Sequence, residues 1–274
     1  IAEEALAKAV EMYRPTGAFV LVMDPDTGDL LAMANAPAFD PNAFAEVDRG
    51  CYRNRGVSDT FEPGSTMKPF LVAAALDAGV INLEETFDCE RGAFRIGRNT
   101  IHDTHPYGDM TVDEIIKVSS NIGSAKIAER LGAERLREAY LRYGFGRSTG
   151  IDLAGESSGI LRDWRSWKRI GLATHAFGQG ISITGIQIAA ALSAVANGGT
   201  LYQPRIVREV LDRRGDLVDS RAPVVVDRCF SEDVAAEVRR MMGLVVGEGG
   251  TGTRARLDRY SCGGKTGTAQ KVDP

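Results

Sequence analysis

Seven consecutive apolar residues, Phe70-Leu71-Val72-Ala73-Ala74-Ala75-Leu76, follow directly on Gly64-Ser65-Thr66-Met67-Lys68-Pro69. A run with no polar face reads as a helix buried on all sides, and the rest of the chain must be arranged to cover it. Ser65 and Lys68 stand three apart at the start of that helix, so their side chains leave the same face and can touch. A hydroxyl beside an amine is a nucleophile beside a base, the logic of covalent acyl transfer without histidine. With 14 serines and 7 lysines in 274 residues, chance alone gives this spacing in about one chain of three. On its own the pair reads as a helix-capping serine and a surface lysine.

Two further segments change that balance. Ser119-Ser120-Asn121 closes a short amphipathic segment, Val112 to Val118, whose opening Thr111-Val112-Asp113-Glu114 is a capping-box pattern. Lys265-Thr266-Gly267-Thr268 lies in a stretch of glycines and threonines that suits an edge strand open to a substrate. Ser-x-x-Lys, Ser-x-Asn and Lys-Thr-Gly, in this order and widely separated, resemble the motif set of penicillin-binding proteins and serine β-lactamases. Arg53-Asn54-Arg55, Asp59 through Ser65, Phe177 through Ser182 and Gly263 through Gln270 closely resemble class B penicillin-binding proteins, specifically the septal cell-division transpeptidases.

The resemblance runs the length of the chain, so residues 1–274 are expected to form one transpeptidase domain. It implies a mixed α/β (α+β) fold: an antiparallel sheet flanked by helices, with an all-helical subdomain. Two strands and a C-terminal helix would follow Lys-Thr-Gly, and a membrane anchor and pedestal would precede the domain. The natural protein is therefore expected to be longer, with this domain on the outer, periplasmic face of the cytoplasmic membrane.

By the same resemblance Ser65 is the nucleophile and Lys68 its base, with Lys265 facing Lys68 across the site. Ser119 would pass a proton to the leaving amine and Asn121 would hold the substrate amide. The backbone N–H groups of Ser65 and Thr268 would hold the oxyanion, and Lys265, Thr266 and Thr268 the terminal carboxylate, with Gly267 in the same substrate-binding strand. The implied donor is a peptidoglycan stem peptide ending in D-Ala-D-Ala, the acceptor an amine of a second stem peptide, and β-lactams would acylate Ser65. A membrane glycosyltransferase and other division proteins are the implied partners. Three readings compete: a D,D-carboxypeptidase with water as acceptor, a serine β-lactamase, and a non-catalytic β-lactam sensor or scaffold. Against the β-lactamase, no Glu-x-x-Leu-Asn lies between Asn121 and Lys265, and Ser120 stands where Asp would.

The bulk properties fit one globular domain. No low-complexity tract or repeat interrupts the chain, and a net charge of −4 gives no electrostatic footprint for nucleic acid. The stretch between Arg169 and Arg205 lacks charged residues, but its continuous apolar helix, about 186–196, is the length of a core helix rather than a membrane span. The first residues form an amphipathic helix, not a signal peptide. Cys51, Cys89, Cys229 and Cys262 have no metal or redox spacing, and buried free thiols are the expectation; Cys262 reads as a strand packing residue. His102-Asp103-Thr104-His105 offers two histidines without a third ligand, so a rim or structural role is preferred and no metal is assigned. Gly247 to Gly252 satisfies G-x-G-x-x-G but follows a helix, and Arg259 stands where a phosphate loop before Lys265 needs its first glycine. No cofactor is expected.

Periodicity predicts a helix over 1–13, a hairpin from 18–23 and 30–34, and small hairpins or loops over 88–110. Further helices are expected over 122–131, 134–143, 184–196 and 231–246. Residues 145–167 read as a loop, and 206–211 and 224–226 as short strands.

Overall fold

A computed structural model describes residues 1–269; Gln270, the last residue of the C-terminal motif, lies outside the described residues. Helix α1 (Ala2–Tyr13) precedes a hairpin, β1 (Ala18–Met23) and β2 (Leu30–Ala36), paired antiparallel with Ala18 opposite Ala36. The polar run after it holds two 3-10 turns and a single helical turn, α2 (Arg55–Ser58), then β3 (Thr60–Phe61). A 3-10 turn, Gly64–Met67, runs into α3 (Lys68–Asp77).

Two nested antiparallel pairs follow: β4 (Thr86–Asp88), β5 (Ala93–Ile96), β6 (Asn99–His102) and β7 (Asp109–Thr111), with β4 on β7 and β5 on β6. Four helices come next: α4 (Val112–Val118), α5 (Asn121–Leu131), α6 (Ala133–Arg142) and α7 (Arg169–Ala176). Strand β8 (Ile183–Thr184) pairs with β3 and leads into α8 (Gly185–Ala196). Strands β9 (Thr200–Tyr202), β10 (Glu209–Leu211), β11 (Leu217–Ser220) and β12 (Val225–Arg228) form the pairs β9–β12 and β10–β11 before α9 (Glu232–Val246). The mixed α/β fold is thus helices with antiparallel two-stranded ladders.

Helix α3 is the hub. Residues Lys68 to Ala75 are all buried, and the helix packs on α5, α6 and α9. Phe70 meets Phe145 edge-on at 5.3 Å and Tyr143 at 5.8 Å, and Tyr143 meets Phe230 at 5.4 Å. Each fully buried side chain of this size contributes about 1.5–3 kcal/mol, so the apolar run anchors the Gly64–Met67 turn firmly.

The capping box at Thr111 and Glu114 is formed, and a second one joins Thr184 to Gln187. Helix α7 and strand β11 were not predicted. Helix α7 has eight residues, an internal glycine and no side-chain cap at its start. Strands β10 and β11 are exposed throughout, so no buried face imposes a period of two. The expected strand at Lys265–Thr268, which would have held Cys262 as a packing residue, is a correction: 261–269 carries no strand. A strand needs a ladder partner, and among the described residues none pairs there; Gly264 N–H instead donates to Met242 O of α9 at 3.1 Å.

Candidate active site

Lys68 is the first residue of α3 and is fully buried. Its Nζ donates to Ser119 O at 2.5 Å, to Asn121 Oδ1 at 2.8 Å and to Ser119 Oγ at 3.2 Å. Three acceptors match the three N–H groups of an ammonium; a neutral amine leaves one of them unmet and gains a lone pair. Burial, and next to it the Lys265 charge, pushes the Lys68 pKa well below its usual value, opposed by Asp103. Lys265 Nζ donates to the same Ser119 Oγ at 2.8 Å, and burial lowers its pKa to about 8.

Ser119 ends α4 in the left-handed region, φ 65°, which an L-residue enters at a cost of about 1–2 kcal/mol. That conformation turns the chain so that Ser120 can cap α5 through Gly123 N–H and Asn121 can open it. The Asn121 amide is fixed from both sides, its Oδ1 accepting from Lys68 and its Nδ2 donating to His102 O at 3.0 Å.

Ser65 sits in the 3-10 turn, half-buried, and its carbonyl accepts the Lys68 N–H. The direct hydroxyl–amine contact read from the spacing is not made: among the described residues Ser65 Oγ has no hydrogen bond, because the Lys68 amine is engaged by Ser119 and Asn121. The Lys265–Thr268 segment lies across this turn. A Cβ on Gly267 would stand 2.7 Å from Pro63 O, and one on Gly64 would run into the Thr268 carbonyl. Gly64 has φ +57°, so both its backbone and its lack of side chain are required. Thr266 Oγ1 lies 2.9 Å from Thr251 Oγ1. Ser65, Lys68, Ser119, Asn121 and Lys265 are therefore gathered in one place, with Thr266, Gly267 and Thr268 beside the turn.

Compared with known sequences, residues 18–274 match the profile of the penicillin binding protein transpeptidase domain. The chain belongs to the penicillin-binding protein transpeptidase family. Its relatives include the class B members. A probable peptidoglycan D,D-transpeptidase PenA of Neisseria meningitidis is 39% identical over 99% of this chain and 44% of its own length. Stage V sporulation protein D of Bacillus subtilis is 40% identical over 99% and 43%. Peptidoglycan D,D-transpeptidase FtsI of Escherichia coli is 34% identical over 98% and 44%. The chain thus spans less than half the length of these curated relatives. The apo transpeptidase domain of Burkholderia pseudomallei penicillin-binding protein 3 superposes with a TM-score of 0.85 at 34% identity, over 98% of this chain and 74% of that one.

In this penicillin-binding-protein domain, two segments support the site in ways the sequence reading did not assign. Asp103 accepts from Ser120 Oγ at 2.6 Å, Asn121 N at 2.5 Å and Ile122 N at 3.2 Å, so a carboxylate caps α5 at its positive end. It was legible only as part of a His-rich run. The Phe177–Gly180 loop backs the Ser65 turn: Gly64 N–H donates to Gly178 O at 3.1 Å and Gly180 N–H to Glu62 Oε1 at 2.8 Å.

Proposed function

We propose that the chain is the transpeptidase domain of a peptidoglycan D,D-transpeptidase acting in septal cell-wall synthesis, with Ser65 as its nucleophile. The observation that carries the reading is the convergence of two amines, Lys68 and Lys265, on the single hydroxyl of Ser119 beside the Ser65 turn. A serine needs a base, and an amine serves as one only when its pKa is lowered, as both are here.

In the proposed reaction Ser65 Oγ attacks the carbonyl carbon of the penultimate D-Ala, and its proton passes to Lys68. The oxyanion is held by the backbone N–H groups of Ser65 and Thr268. The peptide C–N bond then breaks and the terminal D-Ala leaves with a proton delivered through Ser119, which Lys68 and Lys265 can resupply. Asn121 orients the donor amide, and Lys265, Thr266 and Thr268 hold the terminal carboxylate against Gly267. An amine of a second stem peptide attacks the acyl ester, and Ser65 recovers its proton. β-Lactams mimic the donor, and their opened ring stays attached, so the adduct persists.

The names of the FtsI and PenA relatives support this reaction. Residues 1–274 are read as one domain of a membrane-anchored protein on the outer face of the cytoplasmic membrane, working with a glycosyltransferase and other division proteins. No helix among the described residues is long and apolar enough to cross a membrane.

The test is mass spectrometry after incubation with benzylpenicillin, with Ser65→Ala as control. A single long-lived adduct on the peptide containing Ser65 is expected. No adduct on the folded protein refutes the reading, rapid loss favours a β-lactamase, and D-Ala release without cross-linking favours a carboxypeptidase.

A further inference from the structure

His175 lies near the end of α7, directly behind the loop that backs the Ser65 turn, and is 95% buried, its exposure being 5%. Its Nδ1 stands 2.7 Å from Gly171 O. A carbonyl oxygen only accepts, so Nδ1 carries the hydrogen and, in the neutral ring, Nε2 is a bare acceptor. That Nε2 is buried and has no hydrogen-bond partner among the described residues. One face of the imidazole stacks on Trp167 at 3.8 Å and 22°. Gly180 also lies against the ring: its φ is +81°, and a Cβ there would stand 2.9 Å from His175 Cε1.

From Gly180 the contacts run to the reactive serine in two steps. Gly180 N–H is tied to Glu62, three residues before Ser65, and Gly178 O accepts from Gly64, its immediate neighbour. We propose that His175 is a positioning residue for Ser65: its neutral ring seats the Gly178–Gly180 loop against the Gly64 turn, and protonation of Nε2 unseats it. This rests on the reading of Ser65 as the nucleophile.

Burial gives the direction, against charges of both signs around the ring. A cavity of about 500 Å³ beside it is lined by Glu62, Arg162, Trp167, Lys168 and Gly180. Arg162, exposed at the rim, opposes a charge on the ring. Arg169 on the first turn of α7 is already paired with Glu129 of α5, and Tyr140 of α6 reaches only the His175 carbonyl. Glu62 is the carboxylate lining that cavity, and it is committed to Gly180 N–H. A charged ring is drawn to Glu62 and to the Gly180 backbone, the two groups that tether the loop to the Ser65 turn. Burial keeps the imidazole pKa below its usual value, so the ring is neutral at neutral pH and the loop is seated.

The experiment compares the pH dependence of Ser65 acylation by benzylpenicillin in the wild type and His175→Asn. The asparagine can keep an N–H for Gly171 O but cannot titrate. Wild-type acylation is expected to fall by about two decades per pH unit once both Lys68 and His175 are protonated, and the variant by about one. Parallel profiles overturn the proposal. If the variant does not fold, or if benzylpenicillin never labels Ser65, wild-type NMR decides, since the chain has only three histidines. Amide shifts of Gly64, Gly178 and Gly180 that follow the His175 ring titration support the coupling; amides that ignore it sink the coupling, whatever the fate of the enzymatic reading.

Discussion

The Ser119 hydroxyl accepts from Lys265 at 2.8 Å and from Lys68 at 3.2 Å, so one oxygen lies between two amines. The Lys265 charge raises the cost of charging Lys68. Lys265→Gln removes one cation, which raises the Lys68 pKa. The acid limb of Ser65 acylation is therefore expected to move to higher pH while the overall rate falls. Stopped-flow acylation with a chromogenic β-lactam from about pH 5 to about pH 10 reads the limb; a limb that stays in place refutes the coupling.

Asp103 acts with the opposite sign, since its charge favours the Lys68 ammonium. Asp103→Asn is expected to move the same limb to lower pH. Asp103→Ala should also cost about 3 kcal/mol in urea unfolding, because two backbone donors and a buried hydroxyl lose a charged acceptor. A stability loss near zero would mean that water replaces the carboxylate at no cost.

The lysines also shape stability against pH. Their folded pKa values lie below the ordinary 10.5, so the unfolded chain binds more protons between the two values. Stability therefore rises with pH through that window, which runs from about 8 to 10.5 for Lys265 and reaches well below 10.5 for Lys68. One group contributes a slope of at most about 1.4 kcal/mol per pH unit. Lys68→Met is expected to flatten the rise in urea unfolding across pH; an unaltered slope would show that folding does not lower the Lys68 pKa.

Ser119 makes a cleaner backbone test. Ser119→Ala and Ser119→Gly both remove the hydroxyl, but only glycine is relaxed at φ 65°. Both variants should lose acylation, with Ser119→Gly more stable than Ser119→Ala by about 1 kcal/mol in thermal or urea unfolding. Equal stabilities would contradict the strained turn.

Much of the site was legible because its elements carry local signals. The apolar run over 70–76 could only be a buried helix, and Thr111 with Glu114 marked where α4 begins. The gathering of Ser65, Asn121 and Lys265 was readable only through resemblance, since spacing says nothing about contacts across 53 or 146 residues. Asp103 was illegible because a carboxylate in a loop has no period, and its partners are backbone N–H groups 18 and 19 residues on. The 3-10 turn at 64–67 was missed for a related reason. The Ser65–Lys68 spacing suits an α-helix there, whereas Gly64 at φ +57° and the tight approach of Gly178 and Thr268 to it accompany the 3-10 turn.

The Lys265–Ser119 contact joins segments 146 residues apart, which sets an order on biogenesis. A nascent chain emerging from the ribosome can bury Lys68 against Ser119 as soon as α4 is made, but the second amine follows only 146 residues after Ser119. Until then the serine turn lacks the 265–268 strip that lies across it, so the two halves of the site are completed at different times in synthesis.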